Sequence, residues 1–427
     1  MEDGAGGARL HVVMLPWLAL GHIIPFFELS KRIACKGHHV SFVSTPRNLL
    51  RLPRMPPRLA PLINLVDLLL PQVDELPRDA EATIDLTSQE LRPYLRKAYD
   101  ELEGQLCRFL EEARSPPVDW IVFDYAPYWV PESPQGSGPR LLRAAVGVDG
   151  GRRRSDDAGA PDGSPEWISF PSTIAFRGFE ARELFRSGAE RDISGVSEAI
   201  RFGVAISDCQ VVAVRSCPEL EPNWLNLLTE IYRKTVVPVG LLPPVAEEGP
   251  TRTAASGGGS STPFLWAFRR PSRDDGEELE KLPFPEGFEE RLDGRGLVCE
   301  GWLPQVRILA HRAVAGFLTH GGWNSVVEGL SLGRAIILLP LMFDQGLNAR
   351  DLVERGIGVE VPRDEVDGSF TADGISQALR LVMASPEGGP IRSIARESKA
   401  TFGDEELHDE HLTRFIEYLV EHRRAPP

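Results

Sequence analysis

The sequence predicts an α/β protein of two lobes, each built on a parallel sheet and facing the other across a cleft. Three observations predict it. The chain has 427 residues, more than one core ordinarily serves, so two domains of about 200 residues each are expected. Short apolar runs alternate with segments of helical period, the pattern of strands joined by crossover helices. A flexible Gly/Ser run, Gly257-Gly258-Gly259-Ser260-Ser261, separates two such series.

The first fifty residues read as one strand–helix–strand unit. An apolar strand from Leu10 to Leu15 leads through Gly21 and His22 into a helix that ends near Gly37, and a second strand follows from His39 to Ser44. Phe26, Leu29, Ile33 and Ala34 recur at helical spacing, Pro25 suits a first turn and Gly37 the position after the last. A strand at Leu62–Leu70 and a helix from about Ser88 to Ala113 come next, with Leu91, Leu95, Tyr99, Leu102, Leu106 and Phe109 as its apolar stripe. The strand Val118–Phe123 ends in Asp124. In open parallel sheets ligands sit beyond the carboxyl ends of strands, so His22 and Asp124 both lie where chemistry is expected.

Residues 133–165 are dominated by Gly, Pro, Ser, Arg and Asp, and such a composition buries too little apolar surface to offset its chain entropy, so disorder is expected there. Regular patterning returns with a helix near 195–206, a strand Cys209–Arg215, a helix Pro218–Tyr232 and a strand Val236–Leu241. Residues 1–242 thus form the first lobe, 243–262 a linker and 263–404 the second lobe. That lobe offers strands near Phe264–Phe268, Leu297–Glu300, Ala315–Leu318, Ala335–Leu339 and Gly358–Val361. Helices fit between them near Gln305–Ala310, Trp323–Leu332, Gln345–Arg355 and Ala372–Ala384. In 405–427 a closing helix is expected, with Leu407, Leu412, Phe415, Ile416 and Leu419 on one face. His408 and His411, one turn apart with no further ligand nearby in sequence, read as exposed helix residues.

Composition narrows the function. A net charge of −15 repels phosphate backbones and anionic lipid, which argues against nucleic acid as a partner. No run approaches the roughly 20 apolar residues of a membrane span, and Met1–Arg9 lacks the basic start of a secretory signal, so a cytoplasmic chain without membrane insertion is expected, and a monomer. The five cysteines fall at scattered positions and read as reduced, mostly buried thiols.

The chemistry concentrates between Trp302 and Gln345. Its centre, Thr319-His320-Gly321-Gly322-Trp323-Asn324-Ser325, is a strand end, a Gly-Gly turn and a helix start. Glycines admit a ligand close to the backbone, and a helix N-terminus offers free amides and a positive dipole to a diphosphate. His320, Asn324 and Ser325 add side-chain donors. Glu328, one turn further along the Asn324 face, can accept from both hydroxyls of a ribose, and Trp302 can stack on a flat base. Trp323 reads as packing.

These 44 residues, with Trp302-Leu303-Pro304-Gln305 at one end and Phe343-Asp344-Gln345 at the other, resemble the signature box of the plant secondary-product UDP-glycosyltransferases. The resemblance implies a GT-B architecture of two Rossmann-like lobes, the first binding acceptor and the second UDP-sugar. It implies that Trp302 stacks on uracil with Gln305 beside it, that His320, Asn324 and Ser325 hold the diphosphate, that Glu328 holds the ribose, and that Asp344 and Gln345 bind the sugar. Pro16–Pro25 is similar to the family's catalytic-histidine loop and Phe123-Asp124-Tyr125 to the segment of its partner aspartate, which implies His22 as the base and Asp124 as its support. UDP-sugar is then a co-substrate, with no other cofactor and no metal. Phe42–Asn48 and Phe123–Trp129 look like the branch that adds sugar to a glycoside acceptor, and Gln345 implies glucose as the sugar.

Two pieces depart from that pattern. Residues 133–165 stand where the family completes its first sheet, and the strand, Gly-Ser loop and helix that precede the counterpart of Phe264–Phe268 have no match. Both lobes therefore read as incomplete. The competing reading is an impaired relative, or a mis-spliced or frameshifted product, that retains at most nucleotide binding. A Rossmann dehydrogenase is a poor third reading, since no Gly-x-Gly-x-x-Gly follows the first strand.

Overall fold

The computed structural model describes residues 9–113, 116–130, 140–145, 167–244, 263–268, 284, 287–292, 296–301 and 303–423. The first lobe is a seven-stranded parallel sheet of order β3-β2-β1-β4-β5-β6-β7. Its strands are β1 (His11–Leu15), β2 (His39–Ser44), β3 (Ile63–Asp67), β4 (Trp120–Phe123), β5 (Arg140–Ala145), β6 (Val211–Val214) and β7 (Thr235–Pro238). Both faces are covered, as the near-continuous apolar runs demand. One core layer holds Leu15, Trp17, Leu95, Tyr99 and Phe123, and the other Phe26, Phe27, Phe42 and Trp120.

The strand β5 corrects the expectation for 133–165. Residues 140–145 pair with β4 on one side and β6 on the other, so the first sheet is continuous. Leu141, Leu142, Ala144 and Ala145 are the apolar run that carries it. Flanking Gly and Arg dominate the composition of the window, and a central slot between two strands rewards six residues of extended chain whatever surrounds them. The rest of 133–165 lies outside the described residues.

Three further expectations change. The helix expected over 88–113 is two, Arg92–Asp100 and Glu103–Glu112, although Leu95, Tyr99, Leu102 and Leu106 all remain buried. Gly178–Ala189 and Gly389–Phe402 are among the helices the sequence patterning does not predict, the latter burying Ala395 and Phe402. Of the five thiols, only Cys209 and Cys217 are buried.

The second lobe has the expected strands β8 (Phe264–Phe268), β9 (Gly296–Glu300), β10 (Gly316–Thr319), β11 (Ala335–Leu338) and β12 (Gly358–Glu360). They do not form one sheet. Among the described residues β8 pairs only with β9, while β10, β11 and β12 make a separate parallel sheet. Leu265, Trp266 and Leu297 on the detached pair and Leu318 on β10 are exposed. Apart from residues 243 and 244, the linker lies outside the described residues.

The closing helix, Glu405–Glu421, returns to the first lobe. Leu412, Phe415 and Leu419 are buried against its sheet, and the Trp120 indole donates to the Leu419 carbonyl at 3.0 Å. The same burial overturns the expectation for the two histidines. His408 accepts from the Leu241 amide at 3.3 Å and His411 pairs with Glu219 at 2.8 Å, so the first pins the helix to the segment after β7 and the second to the segment after β6. The helix buries these two histidines beside its apolar stripe, because it is packed on more than one face.

Candidate active site

The helix Leu20–Cys35 starts directly after β1, with Ala19 before it and His22 in its first turn. Asp124 follows β4, the strand beside β1, and is buried. Neighbouring parallel strands end together, which brings residues 102 positions apart to 2.9 Å, His22 Nδ1 to Asp124 Oδ2. Asp124 also accepts from the Trp17 amide at 2.7 Å and the Ala126 amide at 3.0 Å, which fixes its plane. Behind it the fully buried Arg201 donates to the Ala126 carbonyl at 2.8 Å and to Asp100 at 2.7 Å. A carboxylate only accepts, so Nδ1 carries the histidine proton and Nε2 is left as the basic nitrogen. The His22 side chain is 27% exposed, enough to meet a ligand.

Across the cleft, β10 ends at Thr319 and the helix Trp323–Ser331 begins after the Gly-Gly turn. Gly321 has φ +82°, and a Cβ there would lie 3.1 Å from Leu338, so glycine is required. No side chain caps this helix, and its first amides stay available to an anion. Asn324 and Ser325 lie in its first turn. Desolvation lowers the His320 pKa, so the ring is neutral at neutral pH and offers a hydrogen bond rather than a charge. Gln305 donates to Glu328 at 2.6 Å, and burial raises the Glu328 carboxyl.

The far end of the signature folds onto the same turn. Gln345 Oε1 accepts from the Leu341 and Met342 amides at 2.9 and 3.0 Å, which leaves its NH2 as the outward group. Asn348 bridges Asp344, at 3.2 Å, to the Gly321 carbonyl, at 3.0 Å, tying this loop to the Gly-Gly turn. Trp302 lies outside the described residues. Of the other residues singled out from the sequence, His22 contacts Asp124, Gln305 contacts Glu328, Asp344 contacts Asn348, and Asn324 meets Gly21 beside His22.

The two walls touch at Asn324, whose amide donates to the Gly21 carbonyl at 2.9 Å, next to His22. Its oxygen accepts from Arg215, which sequence reasoning missed. Arg215 stands at the carboxyl end of β6 and is buried, donating also to the Leu241 carbonyl at 2.6 Å. Burial lowers its pKa to about 10, so it remains cationic at neutral pH. The available signal was a charge closing an otherwise apolar strand, at the end of the sheet where ligands bind.

A hydrogen-bonded His–Asp pair in the first lobe, one residue from a contact with an uncapped helix start of the second, defines a two-lobed α/β protein whose candidate site lies where the lobes meet. The comparisons with known proteins narrow this class. The family profile described as UDP-glucoronosyl and UDP-glucosyl transferase matches residues 244–388. UDP-glycosyltransferase 91C1 of Arabidopsis thaliana is 39% identical, with 97% of each chain covered. Soyasaponin III rhamnosyltransferase of Glycine max is 33% identical over 97% of this chain and 96% of that one. Among solved structures, Arabidopsis thaliana UGT89C1 complexed with UDP-L-rhamnose superposes with a TM-score of 0.68 at 20% identity, over 96% of this chain and 99% of that one. The chain belongs to the UDP-glycosyltransferase family of plant secondary metabolism, whose members transfer a sugar from a UDP-sugar to a small-molecule acceptor. The alignment to the Arabidopsis relative runs over 464 positions although this chain has 427 residues, so it contains gaps on this chain's side.

Proposed function

We propose that this protein transfers glucose from UDP-glucose to a hydroxyl of a small-molecule glycoside, with inversion at the anomeric carbon. The observation that carries the reading is the 2.9 Å His22–Asp124 pair with a partly exposed ring, one residue from the Gly21–Asn324 contact that joins the lobes. A neutral hydroxyl is a weak nucleophile. His22 Nε2 takes its proton as the oxygen attacks the anomeric carbon, the bond from that carbon to the diphosphate oxygen breaks, and UDP leaves with the electron pair. Asp124 stabilises the imidazolium. The uncapped helix start, with Asn324, Ser325 and neutral His320, takes the diphosphate, so its charge is met by donors and a dipole and the proposal needs no metal. Glu328 takes the ribose, Trp302 with Gln305 the base, and Asp344 with the Gln345 amide the sugar hydroxyls.

Glucose rests on Gln345 alone, and one relative is named a rhamnosyltransferase. Competition among UDP-glucose, UDP-rhamnose, UDP-galactose and UDP-xylose, with UDP release measured over mixed glycosides, tests the donor. Preferred turnover of any but glucose overturns that part. His22→Ala is expected to abolish release while leaving UDP affinity nearly unchanged, and full turnover in that variant would remove His22 from the role.

A second reading is favoured by one observation, the separation of β8 and β9 from β10, β11 and β12 among the described residues. A divided donor lobe supports a weakened grip on the diphosphate, and hence a relative with reduced activity.

A further inference from the structure

We infer that Arg215 is a positioning residue that sets the direction of the Asn324 amide, and so makes Asn324 a donor toward the sugar nucleotide. The inference rests on the reading of Asn324 as a diphosphate contact and deepens it. An asparagine amide is two-ended, with an accepting oxygen and a donating NH2, and a phosphate needs the donating end. Arg215 removes the ambiguity, because a guanidinium only donates and must take the oxygen. The opposite partner, the Gly21 carbonyl, only accepts and takes one NH2 hydrogen at 2.9 Å. The second hydrogen is left for the cleft.

The arginine is itself held in place. Its guanidinium donates to the Leu241 carbonyl at 2.6 Å and the Leu242 carbonyl at 3.4 Å, where the first lobe runs into the linker. Its own carbonyl accepts from the Trp323 indole at 3.2 Å, so the residue before Asn324 is clamped by the same arginine. A cation against the amide oxygen also polarises the NH2 as a donor. The first lobe thereby orients a group of the second, and donor binding depends on a residue outside the signature.

UDP affinity, by calorimetry, is compared for the wild type, Arg215→Met, Arg215→Lys, Asn324→Ala and the double variant Arg215→Met with Asn324→Ala. Arg215→Met is expected to weaken UDP binding about tenfold, the size of one charge-assisted hydrogen bond. Arg215→Lys, also only a donor, recovers much of it and serves if the methionine variant folds poorly. The double variant is expected to bind no worse than Asn324→Ala. Unchanged affinity in folded Arg215→Met, or losses that add in the double variant, overturns the inference. If the wild type fails to bind UDP, the donor-site reading falls instead, and the orientation is decided without ligand. In protein carrying 15N-labelled asparagine, the Asn324 side-chain pair, assigned by Asn324→Ala, should show slowed hydrogen exchange that Arg215→Met removes. An unaltered pair in that variant overturns the role of Arg215 whatever UDP does.

Discussion

Glu221 shows how single residues at the lobe junction balance chemistry against stability. It is buried, takes one hydrogen bond from Ser216, and has its pKa pushed up to about 7, first by burial and further by the Asp351 carboxylate. The folded state therefore holds the proton more tightly than the unfolded state, where the value is the ordinary 4.5. Stability is undiminished below the unfolded pKa and falls as pH rises from there to about 7, by about 3 kcal/mol in all. Glu221→Gln keeps an acceptor for Ser216 without the charge. Urea unfolding should give it a gain of about 2 to 3 kcal/mol at pH 8 and less than about 1 at pH 5. The same gain at both values would mean that the carboxylate is not what costs stability there. Asp124 behaves differently, being met by three donors, and Asp124→Asn would offer Nδ1 of His22 an amide in place of a carboxylate. Turnover should fall by a factor of about 100 or more with UDP affinity retained, because the imidazolium loses its counter-charge.

The closing helix is where an element acts beyond its own sequence neighbourhood. Leu412, Phe415 and Leu419 fill the face of the first sheet, although the 142 residues of the second lobe separate them from it in the chain. Phe415→Ala should cost about 3 to 5 kcal/mol in urea unfolding, the usual loss for a buried aromatic truncated in a close-packed core. A cost under about 1 kcal/mol would mean that the helix is only loosely docked. Its 3.6-residue stripe was legible, and so was its role as a closing element. The second buried face, with His408 and His411, was not, because periodicity counts apolar residues and a histidine satisfied by an amide or a carboxylate gives no such signal.

At the scale of the molecule, the division of the second lobe outweighs the rest. Its strands β8 and β10 each lack a partner on one side among the described residues, and Phe264, Leu265 and Trp266 are exposed where a continuous sheet would cover them. Unpaired strand edges cost stability and invite association. Insertion of a strand, a Gly-Ser loop and a helix between Ala246 and Pro263 should raise UDP affinity by a factor of about 100, for two recovered charge-assisted hydrogen bonds, and raise the unfolding temperature. Equal UDP affinity and turnover with and without the insertion would show that the loop is dispensable and that the chain is not impaired.

The alternation of apolar runs with helical periods determined the α/β class with parallel strands and nearly every strand, since strand and crossover signals are local. Residue types at fixed spacing likewise marked the strand ends, the Gly-Gly turn and the candidate donor residues Gln305 to Gln345. The strand β5 was hidden because its environment, a slot between β4 and β6, exists only once the sheet is assembled. The 2.9 Å approach of His22 to Asp124 also needed the register of β1 on β4. Arg215 reached Asn324 only through the docking of one lobe on the other. Local sequence encodes period and chemical type, whereas contacts between residues a hundred positions apart depend on strand order and lobe packing, which only the tertiary structure decided.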